Sequence, residues 1–117
     1  MQNFAAYTNA IDLVRALAPI AEQLKSRSAK LADQLERAAS SIVLNVAEGS
    51  RRGGKDPRRF YTMASGSASE VVAALDLASA WGWVIDDRNA RALLDRQLGL
   101  LWGLTQGRAA ERREARR

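Results

Sequence analysis

The 117-residue chain contains no cysteine and no histidine. Their joint absence excludes a thiol nucleophile, a Ser-His triad and any zinc or iron site built on thiolate or imidazole ligands. No stretch of 18 residues is both apolar and uncharged, so no membrane span is expected. The opening MQNFAAYTNAIDLV has neither the basic start nor the cleavage site of a signal peptide. With the lack of cysteine, this makes a cytoplasmic protein the expectation. Period-2 runs of β-branched and aromatic residues are also missing, which leaves helices.

Positive charge is in excess but unevenly placed. The net charge is +5. The stretch RRGGKDPRR (51–59) carries five basic residues and one acid, and the tail GRAAERREARR (107–117) carries five and two. The first is therefore +4 and the second +3, which leaves the rest of the chain at −2. A mildly acidic body bears two basic patches.

Apolar residues recur at spacings of three and four, which predicts four helices. The first spans about 8–26, capped by Thr8 or Asn9, with a stripe through Leu13, Leu17, Ile20 and Leu24. Pro19 falls inside it and would kink or split it. The second spans about 28–49 from Ser28, with Leu31, Leu35, Ala38, Ala39, Ile42 and Val46 on one face and Gly49 as its stop. Asp56-Pro57 opens the third, Asp as cap and Pro at the first position, and Gly82 ends it after Trp81. The fourth starts at Asp86 or Asp87 and runs to about Gln106. Short connections make neighbours antiparallel, so the expected fold is all-α: an antiparallel up-down-up-down four-helix bundle over 1–107, followed by a basic tail at 108–117.

One bundle face uses roughly 100° of a helix surface. Helix four spreads Leu93, Leu94, Leu98, Leu100, Leu101 and Leu104 over more than that, and Trp102 lies beyond the arc. Leu44 and Leu77 also point away from the main stripes of helices two and three. Scattered surface leucines are one explanation. Self-association through a second face is the other, and Gly99, Gly103 and Gly107 would supply a groove for close approach. In helix three, the smooth run MASGSASE (63–70) fits tight packing within one subunit.

The segment 34–84, QLERAASSIVLNVAEGSRRGGKDPRRFYTMASGSASEVVAALDLASAWGWV, resembles a family of bacterial four-helix-bundle proteins named after reading frames in intervening sequences of 23S ribosomal RNA genes. The resemblance rests on Ala38, Ala39, Ser41 and Ile42, then Asn45, Ala47, Glu48, Gly49 and Ser50. It continues after the basic loop with Arg59, Phe60, Gly66, Ser67 and Glu70. Val43 departs from it, because the family often has proline there. The resemblance implies a small, often pentameric bundle without an established enzyme activity. It also implies similarity to the accessory variability determinant of diversity-generating retroelements, a basic pentamer that binds nucleic acid and associates with a reverse transcriptase.

Asn45 and Glu48 lie on one side of helix two near its C-terminus, where a carboxylate is electrostatically disfavoured. Arg51, Arg52 and Arg59 are expected to compensate Glu48, with Glu70 sharing them and Asn45 satisfying loop backbone groups. Glu48, Glu70 and Asn45 would make only a thin Mg²⁺ site, so neither a metal, a cofactor nor an enzyme is expected. The basic loop is either plainly solvated or a phosphate-contacting surface of Arg51, Arg52, Lys55, Arg58 and Arg59, multiplied in an oligomer. Phe60 is assigned to the core, and Tyr61 is the candidate for stacking on a base. The function expected is non-catalytic binding of RNA or DNA. The alternative is a structural or protein-interaction module.

Overall fold

The computed structural model describes residues 4–52 and 56–107. Its helices are α1 (Phe4–Lys25), α2 (Ala29–Arg51), α3 (Pro57–Ala80) and α4 (Arg88–Trp102), and a π-helical turn, Gly103–Gly107, continues α4. No strand occurs among the described residues. Each helix packs on two neighbours: α1 on α2 and α4, α3 on α2 and α4. The four elements thus close the expected antiparallel ring around Leu13, Leu24, Leu35, Ile42, Leu75, Leu94 and Leu101, all fully buried. No helix among the described residues is long and apolar enough to cross a membrane.

The apolar stripes fall where the periodicity puts them, but several helix ends do not. α1 begins at Phe4, so Thr8 and Asn9 are interior positions rather than caps, and Asn9 is buried. Pro19 does not split α1. It faces solvent, where water can take the carbonyl that its missing N–H leaves unpaired. Ser28 caps α2 as expected, its hydroxyl accepting from the Leu31 amide at 3.1 Å.

Gly49 is not a stop. α2 continues to Arg51, and Gly49 is where the ring of buried Tyr61 from α3 lies against the α2 backbone. A Cβ on residue 49 would sit 2.6 Å from Tyr61 Cε1. Glycine serves here for close approach, not for a left-handed turn. Among the described residues the left-handed glycine is Gly82, at φ +85°. Beyond α3 it lets the Gly82 and Trp83 amides return to the Ser79 and Ala78 carbonyls at 2.9 and 3.1 Å.

Of the aspartates expected as caps, only Asp86 reaches a helix amide with its side chain, its Oδ1 accepting from the Arg88 N–H at 3.4 Å. Asp56 sits in the left-handed region (φ 54°, ψ 45°) without a capping hydrogen bond. Asp87 precedes α4, but its carboxylate accepts from Arg91 Nε at 2.9 Å. Arg91 Nη1 also reaches Asp76 Oδ1 on α3 at 2.9 Å, tying the two helices together.

One pairing had no counterpart in the expectations. Asn9 Nδ2 donates to Gln97 Oε1 at 2.7 Å and to the Leu93 carbonyl at 3.0 Å, and Gln97 Nε2 donates to the Ala6 carbonyl at 3.1 Å. This buried amide pair locks α1 to α4.

The antiparallel order sorts the molecule into two ends. The starts of α1 and α3, the end of α2 and Gly103–Gly107 share one. The α1–α2 and α3–α4 connections share the other. The basic tail, 108–117, lies outside the described residues.

Candidate nucleic-acid interface

The last turn of α2 leaves carbonyls without intrahelical partners and carries partial negative charge. Glu48 adds to that charge, and the residues three and four further on compensate it. Arg51 Nη2 donates to the Glu48 carboxylate, and Arg52 Nε reaches the other oxygen at 3.4 Å. The Arg52 guanidinium also lies 4.6 Å from the centroid of Phe60, on the first turn of α3. Arg59 approaches the same ring at 5.2 Å. Phe60 therefore bridges the two helices through cations rather than through the core.

The assignments of the two aromatics are reversed. Tyr61 is 3% exposed and cannot stack on a base, while Phe60 is only half-buried and carries arginines on its face. Neighbouring residues on a helix point about 100° apart, so a small rotation of the start of α3 decides which ring turns inward.

Arg51, Arg52, Arg58 and Arg59 are all exposed around this turn. Lys55 lies outside the described residues. Pro57 opens α3 and Asp56 leaves its first amides uncapped by a side chain, so the positive end of the α3 dipole faces the same cluster. The arrangement can hold an anion of extended shape. It offers guanidinium groups and helix amides, with no nucleophile or proton shuttle among them.

The other motif residues are drawn elsewhere. Among the described residues, Asn45 bonds within α2 rather than to the loop. Its Nδ2 donates one turn back, to the Ser41 carbonyl at 2.9 Å and the Ser41 hydroxyl at 3.0 Å. Ser67 of α3 in turn donates to Ser41 Oγ at 2.8 Å. Asn45, Ser41 and Ser67 thus form a polar seam between α2 and α3. The Ser50 hydroxyl is buried and makes no hydrogen bond among the described residues.

Glu70 does not share the loop arginines. The Ser41–Ser67 bond and the Gly49–Tyr61 contact set the register of the two helices. Glu70 then falls beside Gln34 and Arg37, in a shallow groove with Leu31, Ala74 and Leu77. Glu48 is about three turns away along α2, so the two carboxylates and Asn45 do not form one metal site. Among the described residues no group of three or more potential ligands lies close enough to hold a metal ion.

Within MASGSASE, Ala64 and Ala68 pack into the core as expected, but Gly66 is exposed and a Cβ there would meet only open space. Gly99 and Gly103 are open in the same sense.

A family model described as 23S rRNA-intervening sequence protein matches residues 2–97. The chain belongs to this family. The match spans α1, α2, α3 and most of α4, so the arginine cluster and the Asn45–Ser41–Ser67 seam both lie within the family domain of this 23S rRNA-intervening sequence protein. A search among curated proteins gave no significant match.

Proposed function

We propose that this 23S rRNA-intervening sequence protein is a non-catalytic, cytoplasmic, self-associating bundle that binds RNA or DNA through the basic turn between α2 and α3. One observation carries the reading. Arg51, Arg52, Arg58 and Arg59 surround the start of α3, which Asp56 does not cap with its side chain, and two of them are held against Phe60. Such contacts engage phosphates and position a strand without reading its bases.

A salt titration of binding to labelled duplex DNA tests it. Affinity should fall linearly on a log–log plot with a slope of about −0.9 per phosphate contacted. Replacing all four arginines by alanine should make the slope shallower by up to roughly 3.6, if each holds one phosphate. Unchanged affinity and slope would rule out the loop as the binding surface.

Self-association is supported by apolar surface that one chain leaves uncovered. Leu44 is 68% exposed, Trp102 58% and Leu77 47%. A ring of subunits, five by the family resemblance, would also repeat the basic turn and raise its effective concentration along a polyanion. Sedimentation at several concentrations should give a mass above the monomer, and Leu44→Glu with Leu77→Glu should shift it towards the monomer. A wild-type chain that sediments as a monomer throughout would overturn the association.

The same exposed side chains favour a second reading, a module that docks a protein partner such as a reverse transcriptase. In that case the four-arginine variant would retain partner binding while the apolar variants lose it.

A further inference from the structure

Two phenyl rings stand among the arginines at the basic end of the bundle. Phe60 is half-buried, with the Arg52 guanidinium over its face at 4.6 Å and that of Arg59 at 5.2 Å. Phe4, at the start of α1, is 68% exposed. Its level follows from the packing of α1 on α2. Residues between Val14 and Glu22 line one groove with residues between Leu35 and Ser40. Counted in the antiparallel sense from there, Phe4 falls level with Arg51 and Arg52. An aromatic on each neighbouring helix thus flanks the end of α2.

The charge at this end is modest. Arg51, Arg52, Arg58 and Arg59 are opposed by Glu48 and Asp56, which leaves +2, and Glu48 already holds two of the four. Attraction to phosphates alone is therefore weak. Flat groups, by contrast, are held ready. A guanidinium anchored over a ring is a stacking plane for an unpaired base, and so is an open ring such as Phe4. A duplex keeps its bases inside the stack and can use neither.

We infer that the preferred ligand is single-stranded nucleic acid, its backbone held by the arginines and its unpaired bases stacked on Phe60, Arg52 and Phe4. The inference rests on the proposed function and deepens it, because it names the form of the polyanion.

The test titrates the full chain with labelled oligo-dT and oligo-rU of about 15 nucleotides, an abasic strand of the same length and a duplex, over a range of salt. Both homopolymers should bind more tightly than the duplex. They should exceed the abasic strand by about 5- to 150-fold for each base stacked. Whichever homopolymer binds more tightly identifies RNA or DNA as the source. Phe4→Ala should lose one such factor and Phe60→Leu another. Both should keep the parent's salt slope, because no phosphate contact is removed. Phe60→Trp, with a wider ring, should retain the affinity. Phe4 is exposed, so Phe4→Ala should melt as the parent does, and it carries the test if Phe60→Leu unfolds.

Failures of the two claims are distinguishable. Suppose the abasic strand binds as tightly as the homopolymers and Phe4→Ala matches the parent, while the four-arginine variant still flattens the slope. Stacking is then refuted and the proposed function stands. A shallower slope in Phe60→Leu would show that the ring only positions arginines, which overturns stacking at Phe60. A four-arginine variant that binds as the parent does, or a parent that binds no strand, removes the proposed function and the inference with it.

Discussion

Replacing Gly49 by alanine is expected to destabilise the fold by about 1–3 kcal/mol, the usual cost of forcing extra volume into a packed site. The sign is informative because helix propensity alone argues the other way. In a helix interior, alanine is favoured over glycine by about 1 kcal/mol. Residue 49 lies inside α2, so a gain would follow if nothing touched it. The Tyr61 ring does touch it, at 2.6 Å from the position a Cβ would take, and the ring is buried and cannot swing away. Thermal or urea unfolding of the single variant measures the loss. A cycle with Tyr61→Leu identifies its cause, because the alanine should cost much less once the ring is gone. An equal loss in both backgrounds would place the cause in the backbone, and a gain in stability would show that α2 and α3 do not meet this closely.

The second large effect belongs to the amide pair across α1 and α4. Gln97→Leu leaves one Asn9 N–H buried without an acceptor, and a buried polar group left unpaired costs about 1–3 kcal/mol. Asn9→Leu should cost a similar amount, since Gln97 Oε1 then loses its donor. Replacing both by leucine removes both stranded groups, and the double variant should recover most of the stability lost in either single one. Chemical unfolding of the four proteins gives the coupling directly. Simple additivity of the two losses would show that the amides act separately. The pair also fixes the axial position of α4, and with it the level at which Gly103–Gly107 leaves the bundle.

The bundle itself was legible because its signals are periodic. Leu13, Leu17, Ile20 and Leu24 mark one face without reference to any partner, and Gly82 ends a helix by a local preference. What was not legible depends on register between helices. Gly49 looked like a stop because glycine after an apolar run usually is one, and only the position of Tyr61 reveals the other reason for it. Phe60 and Tyr61 are adjacent and both aromatic, so no pattern on α3 alone selects which turns inward. Asn9 and Gln97 do leave a trace in the sequence. Gln97 falls three residues after Leu94 and four before Leu101, squarely on the apolar stripe of α4. A polar residue at such a position demands a partner, and the buried face of α1 contains one amide.

In the motif, the sequence suggested one charged cluster where the structure has two separate features. Glu48 is compensated from its own helix, three and four residues on, which spacing alone predicts. Glu70 was linked to the same arginines because both belong to one motif. Membership in a motif does not imply contact, and the antiparallel register carries Glu70 to the middle of the bundle. Asn45 and Ser67, far apart in the motif, are instead joined through Ser41.

The indoles are divided between the two ends. Trp81 and Trp83 stack at 6.2 Å with their planes 17° apart, beside the α3–α4 corner and at the opposite end from Arg51, Arg52, Arg58 and Arg59. Trp102 closes α4, directly before the Gly103–Gly107 turn. Emission from the stacked pair thus follows melting of the far corner, while Trp102 follows the end of α4. The chain carries its own optical separation between loss of structure at one end and at the other.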